Sequence, residues 1–537
     1  MGNIKTRIAP YFEGAYDSTK VYKKLSVVRY DDNLYIAFVD EVPAGILPTN
    51  ENYYKLYLDS KSDIEKANNR FSNIENRLTE VEDDVSNLTS ARIRKWGVRY
   101  YYDQSSSKLE RLGDAIEMTA NATKNGAAVV NDFDEEELFK EIKKVKRHKT
   151  THKLLAVKGD ADYDSVNGEV MIDFPDTYWK IEEAADKSYV DIWLSNAFLV
   201  GFFKVDKFSV GAHALSIAED GSIQTQPGFP VEGHKGITTW RNLVKEQYGE
   251  GACLMDWRYT VITYLYLIEF ADFNSQSVLG NGLHSFRYNA TTDKALIAET
   301  GVNRIIINTS GGNAFVVGQR IMIGTWDGGN NIAAKRKITS KESYTSDDGT
   351  ITGIAVYFDG DTVDITTSCI LMSCGQDTGS ADDIQASSGC MSNDGKHGCS
   401  YRGFERNSIF DWIDGISIKD GVIYECTDPT AYASEVFDAP YEALDGYGIP
   451  TDSTNGYIKS LGFDINHPFC RLPKALGGGS STYITDYCWC NPSGKFAARV
   501  GGAPYHGTYA GLFYWFLTFA ASNAAWFCGA RVLMYQI

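Results

Sequence analysis

The sequence predicts an α+β protein built from stretches of different character, and three observations predict it. Residues 61–93 carry a narrow apolar stripe at heptad spacing. The first 60 residues and residues 296–374 alternate apolar and polar side chains around Asp- and Gly-rich turns, the pattern of half-buried strands. Between them, residues 239–249 and 257–273 repeat apolar residues at helical spacing. Composition agrees with a folded chain: of 537 residues, 43% are hydrophobic and 23% charged, which excludes disorder. The formal net charge of −18, from 52 Lys+Arg against 70 Asp+Glu, repels nucleic acid and anionic membrane surfaces. No nucleic-acid partner is therefore expected.

Taken in order, residues 1–60 form a small all-β module. Val28, Tyr30, Leu34, Ile36 and Phe38 alternate about the polar Asp31-Asp32-Asn33 turn, a hairpin signature. Residues 61–93 predict a coiled coil, with Ile64, Phe71, Leu78 and Val85 at a and Ala67, Ile74, Val81 and Leu88 at d. No Pro or Gly interrupts the run, and β-branched residues at both a and d favour three strands over two. The expectation is a parallel homotrimer through Ile64–Leu88. Residues 94–295 open the main domain. In 257–273 the helical repeat runs through Trp257, Val261, Leu265 and Ile268. A further helix is expected over 131–149, acidic in its first turn and basic in its last, as the helix dipole favours. Residues 296–374 read as an inserted β domain. Residues 375–537 complete the main domain with short, turn-rich segments.

The N-terminus, MGNIKTRIAPYFEGAY, has no apolar core of a signal peptide, so no secretory signal is expected. The ten Cys, from Cys253 to Cys528, are then expected as reduced, buried thiols. Gly511–Cys528, GLFYWFLTFAASNAAWFC, is near the lower limit for a membrane span. Asn523 and the Gly and Ser around it argue against a tail anchor, and no membrane insertion is expected.

Three stretches resemble known families. Residues 1–60, with turns at Pro43-Ala44-Gly45 and Pro48-Thr49-Asn50, resemble the small β modules related to chitin-binding domains that recur in phage tail proteins. Tyr53 or Tyr54 stands where such modules close on Trp, and the implied role is a tail-attachment adaptor. The segment YRGFERNSIFDWIDGISI, 401–418, is similar to the formylglycine-generating-enzyme-like branch of the C-type lectin fold. Phe410, Trp412, Asp414 and Gly415 follow the Arg402-Gly403 turn, with Ser408-Ile409-Phe410 in place of the usual Gly-Asn-Val. The C-terminus, about 498–535, resembles the variable repeat of C-type-lectin-fold proteins diversified by diversity-generating retroelements, many of them on phage tails. The resemblance implies a scaffold of Gly501, Gly502, Gly507, Ala510, Gly511, Leu517, Ser522, Gly529 and Arg531, with randomised positions between. Replacing adenines in an Asn codon cannot give Lys, Glu, Gln, Met or Trp. None of the first four occurs between Gly501 and Ala530. Trp515 falls at a constant aromatic position, whereas Trp526 requires another template codon.

These resemblances imply a phage tail-tip receptor-binding protein for host adsorption, carried on the virion. Its implied partners are a host cell-surface receptor (protein or glycan), further copies of itself, and other tail proteins. The expected ligand-contacting residues are Tyr505, His506, Thr508, Tyr509, Tyr514, Phe516, Thr518, Phe519, Asn523, Ala525, Trp526, Phe527 and Cys528. Aromatic residues there give rigid amphipathic contact area at low rotamer entropy. A randomised position must tolerate Ala and Tyr alike, and a large-to-small change in a core costs about 2–5 kcal/mol. Variable side chains are therefore expected to face solvent. The alternatives are a tail-associated glycan-processing enzyme and a retroelement-diversified bacterial surface protein. No Gly-x-Ser-x-Gly, phosphate loop or His-Glu-x-x-His occurs, so no catalysis is expected. The Glu-Pro-Asn, Gln-Pro-Asp and Trp-Asn-Asp strings of calcium-dependent lectins are missing, so no calcium is expected. Neither Cys390, His397 and Cys399 nor Cys470, Cys488 and Cys490 match a zinc-finger spacing, and no metal or cofactor is expected.

Overall fold

The computed structural model describes residues 10–58, 70–72, 93–124, 130–284, 286–287, 292–382, 389–391, 397–406, 409–451, 453–464 and 466–537. They divide into two compact units, Met1–Ile93 and Arg94–Ile537. Strand accounts for 41% of the structure and helix for 11%, so the class is mostly β rather than α+β.

In the first unit, four strands pair in the order Tyr11–Ala15, Ser26–Tyr30, Asn33–Ala37 and Tyr54–Leu58. Asp31 and Asp32 take positive φ (50° and 64°) and close the central hairpin. Val28 and Ala37 meet Tyr22 and Tyr54 in the core, so Tyr54 is a packing residue. Phe71 corrects the coiled-coil expectation at the one a or d position described. It is buried against Val27 and Leu34 and stacks on Phe12 at 5.9 Å. A ring committed to its own sheet is not available to a seam between chains. The remaining seam positions lie outside the described residues, and those that are described form no coiled coil.

In the second unit, helices α1 (Ile237–Tyr248) and α2 (Arg258–Phe270) form where helical spacing places them. The helix expected over 131–149 does not. A 3-10 turn, Asp132–Glu135, and one short helical turn, Glu137–Lys140, lead into the strand Lys143–Arg147. That strand turns Val145 and Arg147 inward, and Arg147 forms a two-point ion pair (2.8 and 2.5 Å) with Asp173 of the adjacent strand Glu169–Phe174. Arg147 is thus held by a sheet partner, Lys144 by Asp382 and Lys146 by the Val166 carbonyl, instead of by a helix dipole. The six-stranded sheet that contains it receives the C-terminal strand Val532–Met534 between Phe208–Gly211 and Ala252–Leu254. The strand Val532–Met534 is therefore pinned into the first half of the unit.

The largest sheet contains β1 (Phe410–Lys419), β2 (Val422–Glu425), β3 (Glu442–Gly448), β4 (Asn455–Leu461), β5 (Pro473–Leu476), β6 (Ile484–Cys490), β7 (Lys495–Gly501) and β8 (Gly511–Phe519). Its order is β3-β2-β1-β7-β8-β6-β4-β5, with Cys528–Gly529 paired to β1. α2 underlies its inner face. Tyr259 and Tyr266 of α2 meet Trp515 and Phe513 of β8 at 6.2 and 6.0 Å, and the Tyr259 hydroxyl donates to the Leu512 carbonyl (2.5 Å). The 401–418 segment lies at the centre of this unit. Asp414 accepts two bonds from Arg241 of α1, both 2.8 Å, and the buried Arg402 pairs with Glu269 of α2 at 2.8 Å.

Strands Arg304–Ile307, Thr352–Phe358, Ala333–Thr345, Arg320–Gly324 and Ile370–Ser373 close a separate five-stranded sheet around Ile305, Ile307, Ile321, Val356 and Leu371. The stretch weighed as a tail anchor is a nine-residue strand, β8, followed by loop. No helix among the described residues is long and apolar enough to cross a membrane.

Candidate ligand-binding face

Register fixes which side chains reach the outer face of the large sheet. On β8, Phe513, Trp515 and Leu517 point into the core, so Tyr514, Phe516 and Thr518 point the other way. Phe516 lies opposite Arg499 of β7 and Trp489 of β6, and Arg499 lies opposite Trp412 of β1. Tyr487 and Trp489 of β6 lie opposite Tyr457 and Asn455 of β4. On this side of the sheet, half-buried rings from β8, β6 and β4 adjoin the buried Arg499 of β7 and the buried Trp412 of β1.

Its backbone is held from below by buried polar groups. The Asp486 carboxylate accepts the Phe513 N–H (2.7 Å) and lies so close to Gly511 that a Cβ there would stand 1.9 Å from one of its oxygens. Glycine at 511 is therefore a steric requirement. Burial raises the Asp486 carboxyl to about 7, against the opposing charge of Arg406. Gly502, at φ 129°, turns the chain into the 502–510 loop. Arg531 is fully buried and donates to the carbonyls of Gly211, Ala212 and Glu405, which ties the end of the repeat to distant strands.

Against this frame the expected ligand residues separate. Thr508 and Tyr509 are exposed, Tyr509 by 37%. The Tyr509 ring stacks on Tyr487 at 4.2 Å, and the Thr508 hydroxyl bonds the Tyr457 hydroxyl (3.1 Å). Phe516, Thr518, Phe519, Asn523, Ala525 and Phe527 are half-buried, as are Tyr505 and His506. Tyr505 leans on Trp526 and on Met322, Met372 and Cys374 of the five-stranded sheet and its flank. The His506 imidazole stacks on Tyr514 at 5.3 Å, and burial together with Arg499 pushes it down to about 3, so it is neutral at physiological pH.

The expectation of solvent exposure fails at Tyr514, Trp526 and Cys528, all buried. Tyr514 points outward from the sheet, but Phe410 and His506 cover it. Trp526 is covered by the neighbouring five-stranded sheet, and the backbone of Gly233 lies against its own backbone. Cys528 accepts from Arg499 Nη1–H (2.5 Å) beneath the loop. Arg499 itself is fully buried, with its guanidinium 3.9 Å from the Phe519 ring centre, 4.4 Å from Phe516 and 4.7 Å from Phe410. Its Nε and Nη2 have no hydrogen-bond partner among the described residues. Stacked rings stabilise the cation in place of a carboxylate.

Three ring residues of this face, Tyr457, Tyr487 and Trp489, were not expected from sequence. The available signal was the alternation Tyr487-Cys488-Trp489-Cys490, in which the cysteines face the core and the aromatics face out. Burial raises the Cys488 thiol well above its usual range. Among the described residues, no group of three or more His, Cys, Asp or Glu is placed to hold a metal ion. No family model matches this sequence, and no curated protein matches it.

Proposed function

We propose that this chain is a phage tail-tip receptor-binding protein, acting in the virion to adsorb to a host cell-surface receptor. Its C-terminal repeat, about 498–535, is the retroelement-diversified part, and its N-terminal module joins other tail proteins. The observation that carries the reading is the division of labour within 501–530. Thr508, Tyr509, Phe516, Thr518, Phe519 and Phe527 reach or approach the surface, while Gly511 and the scaffold arginine just beyond this stretch, Arg531, are locked to buried partners. A surface of rigid rings on a fixed backbone suits binding with changeable specificity. The same segment has no Lys, Glu, Gln or Met, as adenine replacement in Asn codons requires.

The test is capture of bacterial cells by the purified full chain. Thr508→Asp combined with Tyr509→Ala changes only exposed side chains, so capture of a bound strain should fall while the melting temperature is kept. Undiminished capture by this variant, or no capture of any strain by the parent chain, refutes the proposal.

A further inference from the structure

The outer face extends beyond the repeat, onto β4 and β6, and its chemistry is uniform. Trp489 and Phe516 sit side by side on neighbouring strands, with ring planes within 24° and centroids 6.1 Å apart. Next to them Tyr487 and Tyr509 stack, and Tyr457 meets both edge-on at 5.2 and 5.6 Å. Polar groups line the rim. The Tyr487 hydroxyl donates to Asn455 Oδ1 (2.7 Å), and the Tyr457 hydroxyl is shared with Thr508. The strip consists of Asn, Thr, Tyr, Trp and Phe side chains, none of which carries a formal charge. The guanidinium nearest to it, that of Arg499, is buried beneath Phe516 and Phe519.

We infer that this strip binds a neutral glycan, with a sugar ring over the Trp489–Phe516 pair and the constant residues Tyr457, Tyr487 and Trp489 supplying a fixed part of the site. The inference rests on the receptor-binding reading above and gives its receptor a chemical class. A pyranose offers one apolar face of C–H groups with hydroxyls around its edge. Its complement is an aromatic ring with hydrogen-bonding groups at the rim, and the half-buried Trp489 and Phe516 with the Tyr457 and Tyr487 hydroxyls beside them supply both elements. An acidic polysaccharide would meet a protein of net charge −18 and no charged side chain within the strip itself, although the exposed Lys459 of β4, two residues from Tyr457, stands beside it. A protein partner is the less favoured occupant, because the strip lacks both the surface arginine and the deep pocket of a protein hot spot. In this arrangement the constant rings hold any neutral sugar weakly, and the neighbouring variable positions select among sugars.

The test uses the full chain on a panel of bacterial strains, with cell capture read by flow cytometry. Cells are compared untreated, after mild periodate, which cleaves vicinal diols of sugars, and after broad proteolysis. Capture should be lost after periodate, survive proteolysis, and persist in about 0.5 M NaCl, where exposed charge pairs are screened. Trp489→Ala should weaken it about tenfold or more. Tyr457→Ala provides a second variant if the first folds poorly. Capture that proteolysis removes or periodate spares overturns the glycan while leaving receptor binding intact. Capture lost in salt overturns the neutral ligand. Capture unchanged in both variants removes the ligand from the strip. Absence of capture by the parent chain on every strain defeats the receptor reading itself.

Discussion

Asp486 gives the structure a pH dependence that can be worked out in advance. The carboxyl is fully buried under the turn into β8, with the Phe513 N–H as its hydrogen-bond donor and Arg406 as the opposing charge. Burial raises it to about 7, whereas an unfolded Asp titrates near about 3.9. A group raised on folding contributes stability that is complete below the unfolded value and is lost as pH climbs through the folded one. The window here runs from about pH 4 to about pH 7, at about 1.4 kcal/mol per unit, or about 4 kcal/mol in all. Asp486→Asn keeps a side-chain oxygen for the Phe513 N–H and removes the titration. Burial also raises the carboxyls of Asp256, Asp411 and Glu425, so they add to the pH dependence of the wild type. The informative quantity is therefore the difference between wild type and Asp486→Asn, from urea unfolding at pH 4, 5, 6 and 7. All ten Trp lie at or beyond Trp96, so Trp fluorescence reports the second unit without contribution from the first. Wild type should lose stability relative to the variant as pH rises. A difference that stays flat from pH 4 to 7 would show that Asp486 is ionised throughout, and that the reasoning from burial is wrong.

The remaining predictions concern the same support. Gly511→Ala places a methyl 1.9 Å from an Asp486 oxygen and should destabilise by about 1–3 kcal/mol, the usual range for overpacking. In an Asp486→Ala background the loss should shrink, and equal losses in both backgrounds in a double-mutant cycle would refute the steric account. Arg499→Met exchanges a buried cation with two unpartnered donors for an apolar chain of similar length. Removing that desolvation should outweigh the lost ring contacts and raise stability by about 1–2 kcal/mol; a lower urea midpoint would show that the rings and Cys528 more than offset it.

Local periodicity carried the parts of the fold that depend on local periodicity. α2 is legible because its apolar residues recur along one chain segment, and it is buried on all sides in the result. The hairpin at Asp31-Asp32 is legible because short polar residues tolerate positive φ. Residues 131–149 mislead for a physical reason. An acidic-to-basic gradient is what a helix dipole selects, but pairing with the strand Glu169–Phe174, whose Asp173 holds Arg147, decides the outcome, and KKVKR itself carries no period that would show it. Phe71 misleads in the same manner, since heptad spacing records that a ring is buried without recording what buries it.

The candidate site shows where such reading stops. Alternation along 511–519 separates Phe513, Trp515 and Leu517 from Tyr514, Phe516 and Thr518, and the second set does face out of the sheet. Facing out of a sheet is not the same as facing solvent. Tyr514 is sealed by Phe410, from a strand about one hundred residues earlier, and by His506, from a loop that Gly502 bends back over β8. Trp526 is sealed by Met322 and Met372 from a sheet that sequence alone places in another domain. Both coverings are long-range contacts, and a residue's own periodicity carries no information about them. The converse holds for Tyr487 and Trp489. Their neighbours Cys488 and Cys490 stand out by residue type as candidate zinc ligands, while the useful content of the motif is its period of two, which turns the thiols into the core and the half-buried rings the other way. A segment built to vary can keep its fold only if such coverings fall on constant residues. If the segment varies as proposed, a change at Tyr514, Trp526 or Cys528 would disturb buried packing, whereas a change at Thr508, Tyr509 or Phe516 would alter the surface.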